Sequence, residues 1–363
     1  MRETHLQYLA CPKCRAGIVL DRADVRERGR VVEGRLRCEG CGATYPVKGA
    51  VPRFVADEGY TGNFGFEWQV HALTQLDSRT GAQESSARFF EETGWPRDLR
   101  GELVLEVGSG AGRFTEVIAA TGATVVSVDA SHAVDSNQRS NGWQDHVLVV
   151  QGDLFALPVR DGGFDRVFCG GVLQHTPSPR RAFEALLRPL RPGGSIAVDI
   201  YALRWRTVLN PKYWVRPVTR LLPPRALYRA CKAYAAALWP LARRLGRSRY
   251  GGRLAQALLL NPYTVSPLPD EKRREWAVLD LFDMLSPTYD RPRSRGQVRR
   301  WLHEAGLEEV VVRDGWNGVE ARGVRPAAPA RQEAGAQAGA AARPGAGRAE
   351  TPGAAGTLAH GGA

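Results

Sequence analysis

No apolar stretch in these 363 residues approaches the ~18 that a membrane-crossing helix needs. A helical membrane span is excluded on that ground. Met1-Arg2-Glu3-Thr4-His5 is followed by no apolar core, so no signal peptide is expected and the protein is expected to be cytoplasmic. Cysteine is scarce, with six residues, and a reducing cytosol argues against disulfides among them. Acidic residues are absent from Tyr201 to Pro269, where 13 Lys and Arg occur. That segment holds essentially all of the formal net charge of +12. From Pro326 onward large apolar side chains are almost missing. Such a tail cannot bury enough surface to offset its ordering entropy, and residues 326–363 are expected to be disordered.

What is present points to a bound cofactor. Leu103-Val104-Leu105-Glu106-Val107 is an apolar strand that runs into Gly108-Ser109-Gly110-Ala111-Gly112, and residues 113–118 then open a helix. Glycine lets the backbone turn sharply against a ligand, and a helix start offers free N–H groups. The dinucleotide pattern G-x-G-x-x-G does not fit, because the third glycine comes one residue early and Arg113 takes the sixth position. A second strand ends in Asp129, seventeen positions after Gly112, where a carboxylate can accept from both hydroxyls of a ribose. A third ends before Gly152-Asp153-Leu154, a place to accept from an adenine amine. Strands at 103–107, 124–128, 147–151, 164–169 and 195–200 alternate with helices. That alternation predicts a parallel sheet wound on both faces, with its ligand outside the carboxyl ends of the strands. Further on, a helix over Ser294–Ala305 with Gly306 as its stop precedes two last strands, Leu307–Val312 and Gly318–Arg322.

Over residues 102–201 the chain resembles the class I S-adenosylmethionine-dependent methyltransferases, of the methyltransferase type 11 kind. The motifs that carry the resemblance are the E-V-G-S-G-A-G loop, Asp129, Gly152-Asp153-Leu154, the stretch Phe164 to His175, and Leu190-Arg191-Pro192-Gly193-Gly194-Ser195. The resemblance implies an α/β fold with a Rossmann-like seven-stranded sheet, closed by an antiparallel pair, and S-adenosylmethionine as cofactor. It implies that Gly108, Gly110 and Gly112 pack under the methionine end, supported by Glu106, with Ser109 also on the cofactor. It gives the ribose to Asp129, the adenine to Asp153 and Leu154, and the surroundings of the sulfonium to Gly170 and His175. An oxygen acceptor needs a base, and His175 is the candidate. The competing role for His175 is a hydrogen bond to the cofactor or a cap on the next helix.

Two acceptor chemistries are not expected. Gly170-Gly171-Val172-Leu173 stands where enzymes acting on nucleobase amines carry an Asn/Asp-Pro-Pro-aromatic motif, and Cys169 lacks the Pro-Cys or Thr-Cys context of enzymes acting on cytosine carbon. A wider likeness, over residues 60–325, is to bacterial methyltransferases of surface-glycan or lipid-linked saccharide pathways. It rests on Gly65-Phe66-Glu67-Trp68, Gln174-His175-Thr176-Pro177 and Pro211-Lys212-Tyr213-Trp214-Val215.

Four cysteines form two C-x-x-C pairs, Cys11 with Cys14 and Cys38 with Cys41, separated by 23 residues. Two such knuckles complete a four-cysteine structural zinc site; a redox dithiol is the rival. Residues 5–55 resemble the small zinc-ribbon domain of methyltransferase activator subunits, through His5–Cys14 and Tyr45-Pro46-Val47 with Val51-Pro52. That resemblance implies a module that binds or stabilises a methyltransferase, here fused in cis. Cys169 and Cys231 are expected to be buried and inert.

The expected organisation is a zinc ribbon (1–57), a linker or lid (58–100), a cofactor-binding core (101–200), a basic helical insertion (201–290), closing elements (291–325) and the tail (326–363). Phe66 and Trp68 either fold over the cofactor or pack against the sheet. Within the insertion, Leu227–Leu245 has apolar residues at helical spacing among basic ones. A basic helix with Trp and Leu on its other face suits an anionic lipid surface; Arg with aromatics suits a nucleic acid; a solvated face is the third reading. Insertions at this place in class I methyltransferases shape the acceptor pocket, so an anionic acceptor is expected. The acids of Asp280–Asp290 are then a pocket wall or a helix cap. The resulting expectation is O-methylation of a glycan, a lipid-linked saccharide or another small anionic acceptor, at the inner face of the membrane. An RNA methyltransferase and a non-catalytic cofactor-binding partner subunit are the alternatives.

Overall fold

The computed structural model describes residues 1–57, 59–205, 207–248, 251–264 and 266–327. From residue 328 on, the expected disordered tail lies outside the described residues. Seven strands form the central sheet: β5 (Leu103–Val107), β6 (Thr124–Asp129), β7 (Val147–Gln151), β8 (Phe164–Cys169), β9 (Leu190–Ile200), β10 (Glu308–Gly315) and β11 (Gly318–Val324). Their order is β10-β11-β9-β8-β5-β6-β7. β5 to β9 run parallel, while β11 pairs antiparallel with both β9 and β10. The expected sheet and its closing pair are therefore present. β5 to β7 are almost continuously buried, as Val- and Leu-rich parallel strands covered on both faces should be. Strand order reverses at β5, which opens a crevice at the carboxyl ends of β5 and β8.

Ahead of this sheet stands a four-stranded antiparallel ribbon of β1 (Ile18–Glu27), β2 (Arg30–Cys38), β3 (Thr44–Lys48) and β4 (Val51–Pro52). It is joined to the β7 edge rather than tethered to it. The Phe54 N–H donates to Gln151 O at 2.8 Å, the Ala10 N–H to Pro158 O at 3.1 Å, and the Arg160 N–H to Tyr8 O at 3.0 Å. The first of these bonds pairs the end of the β7 edge, and the other two join the ribbon to the segment that follows β7. Leu9, Val31, Leu36 and Tyr45 of the ribbon share one apolar core with Leu148, Val150 and Val159.

The helices are α1 (Gly62–Val70), α2 (Asp77–Thr80), α3 (Glu84–Thr93), α4 (Arg113–Ala120), α5 (Val134–Ser140), α6 (Pro179–Leu187), α7 (Lys212–Thr219), α8 (Pro224–Gly246), α9 (Gly251–Ala257), α10 (Asp270–Leu285) and α11 (Arg295–Glu304). The Ser294 side chain and Gln297 form a reciprocal capping box at the start of α11. The insertion builds a helical core of its own. Leu227, Cys231, Ala235, Trp239 and Ala242 recur about every four residues along α8 and pack on Ala277, Leu281 and Phe282 of α10. This corrects the expectation that the apolar face of Leu227–Leu245 meets lipid, because that face is consumed by α10. Phe66 joins this core beside Tyr228 and Phe282, which settles it as a packing residue. Among the described residues, no helix is long and apolar enough to cross a membrane.

Arg30 locks the ribbon to the core. Its guanidinium is almost fully buried and donates to Gly142 O at 3.1 Å, Trp143 O at 2.6 Å and the Asp145 carboxylate at 2.6 Å. Arg30→Ala leaves the buried Gly142 carbonyl without this donor and is expected to cost about 1–3 kcal/mol in denaturant unfolding. Arg26→Ala, which removes an exposed pair with Glu3, is expected to change little.

Candidate active site

The glycine loop turns at the end of β5 with φ of 80° at Gly108 and 94° at Gly112, a region that side chains rarely adopt. A Cβ on Gly108 would lie 2.1 Å from Val172 Cγ2, and one on Gly112 would lie 2.2 Å from Asn137 Oδ1. The loop is fixed from two sides. The Gly110 N–H donates to Asp129 Oδ2 at 2.9 Å, while Asp129 Oδ1 accepts from the N–H and the hydroxyl of Ser131, both at 2.8 Å. Burial raises the pKa of Asp129, and those N–H donors pull it back down.

Below the loop, Glu106 accepts from Thr115 Oγ1 and, at 3.0 Å, from Ser127 Oγ. Asn137 Nδ2 donates to Thr115, Ser127 and Ser109, so one network ties β5, β6, α4, α5 and the loop together. Burial pushes the Glu106 carboxyl up to about 7 against the pull of those hydroxyls.

Above the loop lies a cavity of about 530 Å³, within the range of small-molecule sites. Gly108, Ser109, Gly110, Asp129, Leu154, Gly170 and His175 line it, as do Tyr60, Phe64 and Trp68 from the preceding segment. Three residues named from sequence stand off this wall. Glu106 and Gly112 support the loop from beneath, and Asp153 accepts from the Phe155 N–H at 2.9 Å to cap a short 3-10 turn. Trp68 lies against Gly110, about 3.0 Å from where a Cβ would stand, so it covers the loop as a lid residue would.

His175 is held from several sides. Its Nδ1 lies 3.0 Å from Tyr289 O, which can only accept, so Nδ1 carries the hydrogen and neutral Nε2 keeps a lone pair. Phe64 and Tyr201 pack on the ring, with centroids at 5.1 and 5.3 Å. Asp283 Oδ1 stands 3.9 Å from Nε2, and Asp283 Oδ2 accepts from the Tyr201 hydroxyl at 2.7 Å. Burial and the nearby acids hold the Tyr201 phenol protonated.

Charges on this wall were mostly not legible from sequence. Glu67 is almost fully buried, its Oε2 has no hydrogen-bond partner among the described residues, and burial beside Asp283 and Asp280 raises its pKa well above the carboxylate range. Asp280, pushed to about 7 by burial, accepts from Tyr263. Asp280 and Asp283 lie within α10 and form wall, not cap. Lys212 is neutralised by Asp290 at 2.6 Å, and Arg88 by Glu92 and Asp199. Arg113 donates to Ser85 Oγ and Gln75 Oε1, both at 3.0 Å. No carboxylate of a described residue lies within 4 Å of it. The cavity wall thus carries the acids Glu67, Asp280 and Asp283 together with the cations Arg88, Arg113 and Lys212, of which Arg88 and Lys212 are paired.

The sequence profile of the methyltransferase domain matches residues 105–198. These residues form a methyltransferase domain. The demethylmenaquinone methyltransferase of Clavibacter sepedonicus is 35% identical over 101 residues, which are 28% of this chain and 41% of that one. A ubiquinone biosynthesis O-methyltransferase of Xanthomonas oryzae pv. oryzae is 35% identical over 102 residues, 27% of this chain and 43% of that one. The chain thus spans less than half the length of these two relatives. Human N-acetylserotonin methyltransferase, solved with S-adenosylmethionine, is 14% identical with a TM-score of 0.37, over 75% of this chain and 57% of that one. The strand order of the methyltransferase domain explains its five sequence motifs, since each sits at the carboxyl end of β5 to β8 or forms the start of β9.

Outside the domain, the Sγ atoms of Cys11, Cys14, Cys38 and Cys41 all lie within 4.8 Å of one another. The Cys11–Cys41 and Cys14–Cys38 separations are 3.7 and 3.3 Å. A tetrahedron of zinc–thiolate bonds has edges of about 3.8 Å. Cys169 and Cys231 are buried, and burial holds the Cys231 thiol up at about 12.

The Glu106 network generates a test. Between pH about 4.5 and 7 the folded chain keeps a proton that the unfolded chain releases, so stability falls as pH rises through that window and levels off above it. Glu106→Gln is expected to flatten this slope and to gain up to about 3 kcal/mol at pH 8. Thermal melts across pH check it, and parallel curves for both proteins would contradict it.

Proposed function

We propose that the protein is an S-adenosylmethionine-dependent O-methyltransferase acting on a hydroxyl of an acceptor whose buried part is uncharged, such as a glycan or the saccharide of a lipid-linked glycan. The observation that carries the reading is His175, whose Nε2 is left as a lone-pair acceptor on the cavity wall by the Nδ1 bond to Tyr289. The glycine cradle, which has no room for a Cβ at Gly108, and the fixed Asp129 carboxylate fit the cofactor. Asp129 would take the ribose hydroxyls, Leu154 would cover the adenine, and Arg113, with no carboxylate of its own, would take the cofactor carboxylate. When bound, S-adenosylmethionine supplies an electrophilic methyl group on a sulfonium. His175 then removes the acceptor hydroxyl proton onto Nε2, and Asp283 stabilises the imidazolium that results. Tyr201 holds Asp283 in place, and Trp68 and Phe64 keep water from the reacting oxygen. Of the named relatives, one is a demethylmenaquinone methyltransferase and one an O-methyltransferase of ubiquinone biosynthesis, so a quinone-related acceptor is the neighbouring class for the same machinery.

A structural zinc ion held by Cys11, Cys14, Cys38 and Cys41 belongs to the same reading, and the sulfur separations support it. The ribbon it would brace bonds directly to Gln151, the residue before the adenine segment. One zinc per chain is expected by elemental analysis, and chelation is expected to lower the melting temperature by several degrees. A metal-free chain with the same melting temperature would contradict the assignment.

Two substitutions separate binding from chemistry. Asp129→Ala is expected to weaken S-adenosylmethionine binding in calorimetry by about 10–100-fold through the lost ribose contact. His175→Ala is expected to leave that affinity within a few-fold and to lower methyl transfer to a bacterial extract by about 10²–10⁴. Turnover that survives His175→Ala while cofactor affinity falls would remove the base from the mechanism.

A further inference from the structure

Helix α7 is inside out. Its polar residues face the protein: the Lys212 ammonium pairs with buried Asp290 at 2.6 Å, Arg216 donates to Met284 O at 2.8 Å and Pro287 O at 2.7 Å, and the Thr219 hydroxyl donates to Leu285 O at 3.0 Å. Its apolar residues face out. Trp214 is 68% exposed and Val218 66%, and the following Leu221 is 79% exposed. Trp205, 77% exposed, precedes the helix on the same segment. A soluble helix normally shows the reverse pattern, and an exposed apolar cluster of this kind marks a binding surface.

We infer that this face docks on an anionic lipid bilayer. Charge complementarity selects the occupant. No acidic residue occurs between Tyr201 and Pro269, and Arg220, Arg225 and Arg229 follow the apolar cluster as exposed cations. Apolar side chains with basic neighbours are the pattern of an interfacial helix, with Trp at the headgroup level and Leu and Val below it. A single strand of nucleic acid could stack on Trp205 and Trp214 but would leave Val218 and Leu221 uncovered, whereas a bilayer buries all four. A second copy is disfavoured because a two-fold contact would bring two acid-free basic surfaces together. The anchor is α7 and not the longer α8, whose apolar face is already buried.

The placement matters for the site. Ala202, Asn210 and Lys212, from the same segment, line the cavity above the glycine loop. A bilayer on α7 therefore lies at the cavity edge, where a lipid-borne acceptor could present its hydroxyl without leaving the membrane. The docking itself does not depend on the acceptor assignment.

The experiment is vesicle flotation of the full chain, with no methylation readout. The probes are phosphatidylcholine vesicles and the same vesicles with about 30 mol% phosphatidylglycerol. The expected result is flotation with the anionic vesicles that declines as salt is raised. Val218→Ser with Leu221→Ser is expected to reduce the bound fraction about tenfold or more while leaving the melting temperature unchanged, since both side chains are exposed. The inference is overturned by no flotation with anionic vesicles or by flotation that the double variant leaves intact. It is also overturned if the double variant abolishes self-association in sedimentation velocity while vesicles are ignored.

Discussion

The hydrogen bond from the Gly110 N–H to Asp129 joins the loop after β5 to the end of β6, beside the crevice between β5 and β8 where strand order reverses. Much of the proposed site depends on that join. It stations the loop where Gly108 can meet Val172 after β8, and it fixes the one carboxylate suited to a ribose. Because three of the loop's five residues are glycines, it must be held largely by its backbone and by what lies beneath it. That is the work of Glu106, Thr115, Ser127 and Asn137, a buried polar network in which Glu106 Oε2 accepts from both hydroxyls and Asn137 donates to them, while Glu106 Oε1 has no partner among the described residues. The near-neutral carboxyl of Glu106 is the cost of placing an acid there.

Around that fixed centre the chain separates its charges by sign. The acids Glu67, Asp280 and Asp283 gather at the wall beside His175, while the excess of Arg and Lys is carried outward by the insertion. In the proposed reading the two serve different partners: a hydroxyl-bearing acceptor inside and an anionic surface outside. Net charge alone does not separate the two. The ribbon adds a third constraint by closing the β7 edge of the sheet, next to the segment that leads to Leu154.

The methyltransferase sheet was legible because its signals are local. Each parallel strand is a short Val- and Leu-rich run, and each motif stands beside the strand that positions it, from Val107-Gly108 to Cys169-Gly170. The capping box at Ser294 and the turn at Gly306 were equally local. Asp129, Leu154 and His175 were legible as wall residues for the same reason. Glu67, Arg88 and Lys212 were not, because the wall that they form is assembled from α1, α3 and α7, which only tertiary packing brings together. Glu67 did leave a trace, as an acid between Phe66 and Trp68 in an otherwise aromatic stretch. The reversed polarity of α7 was hidden by its ordinary amphipathic spacing: periodicity marks two faces but does not say which one is buried, and here Asp290, far along the chain, decides it.

The most direct test of the central claim is to follow the methyl group. Enzyme, S-adenosylmethionine labelled in its methyl group and a bacterial membrane fraction would be incubated together and separated into RNA, protein and solvent-extractable lipid or glycan. Label in the extractable fraction, absent with His175→Ala, is the predicted result. Label that ribonuclease removes, or label confined to protein, would contradict it.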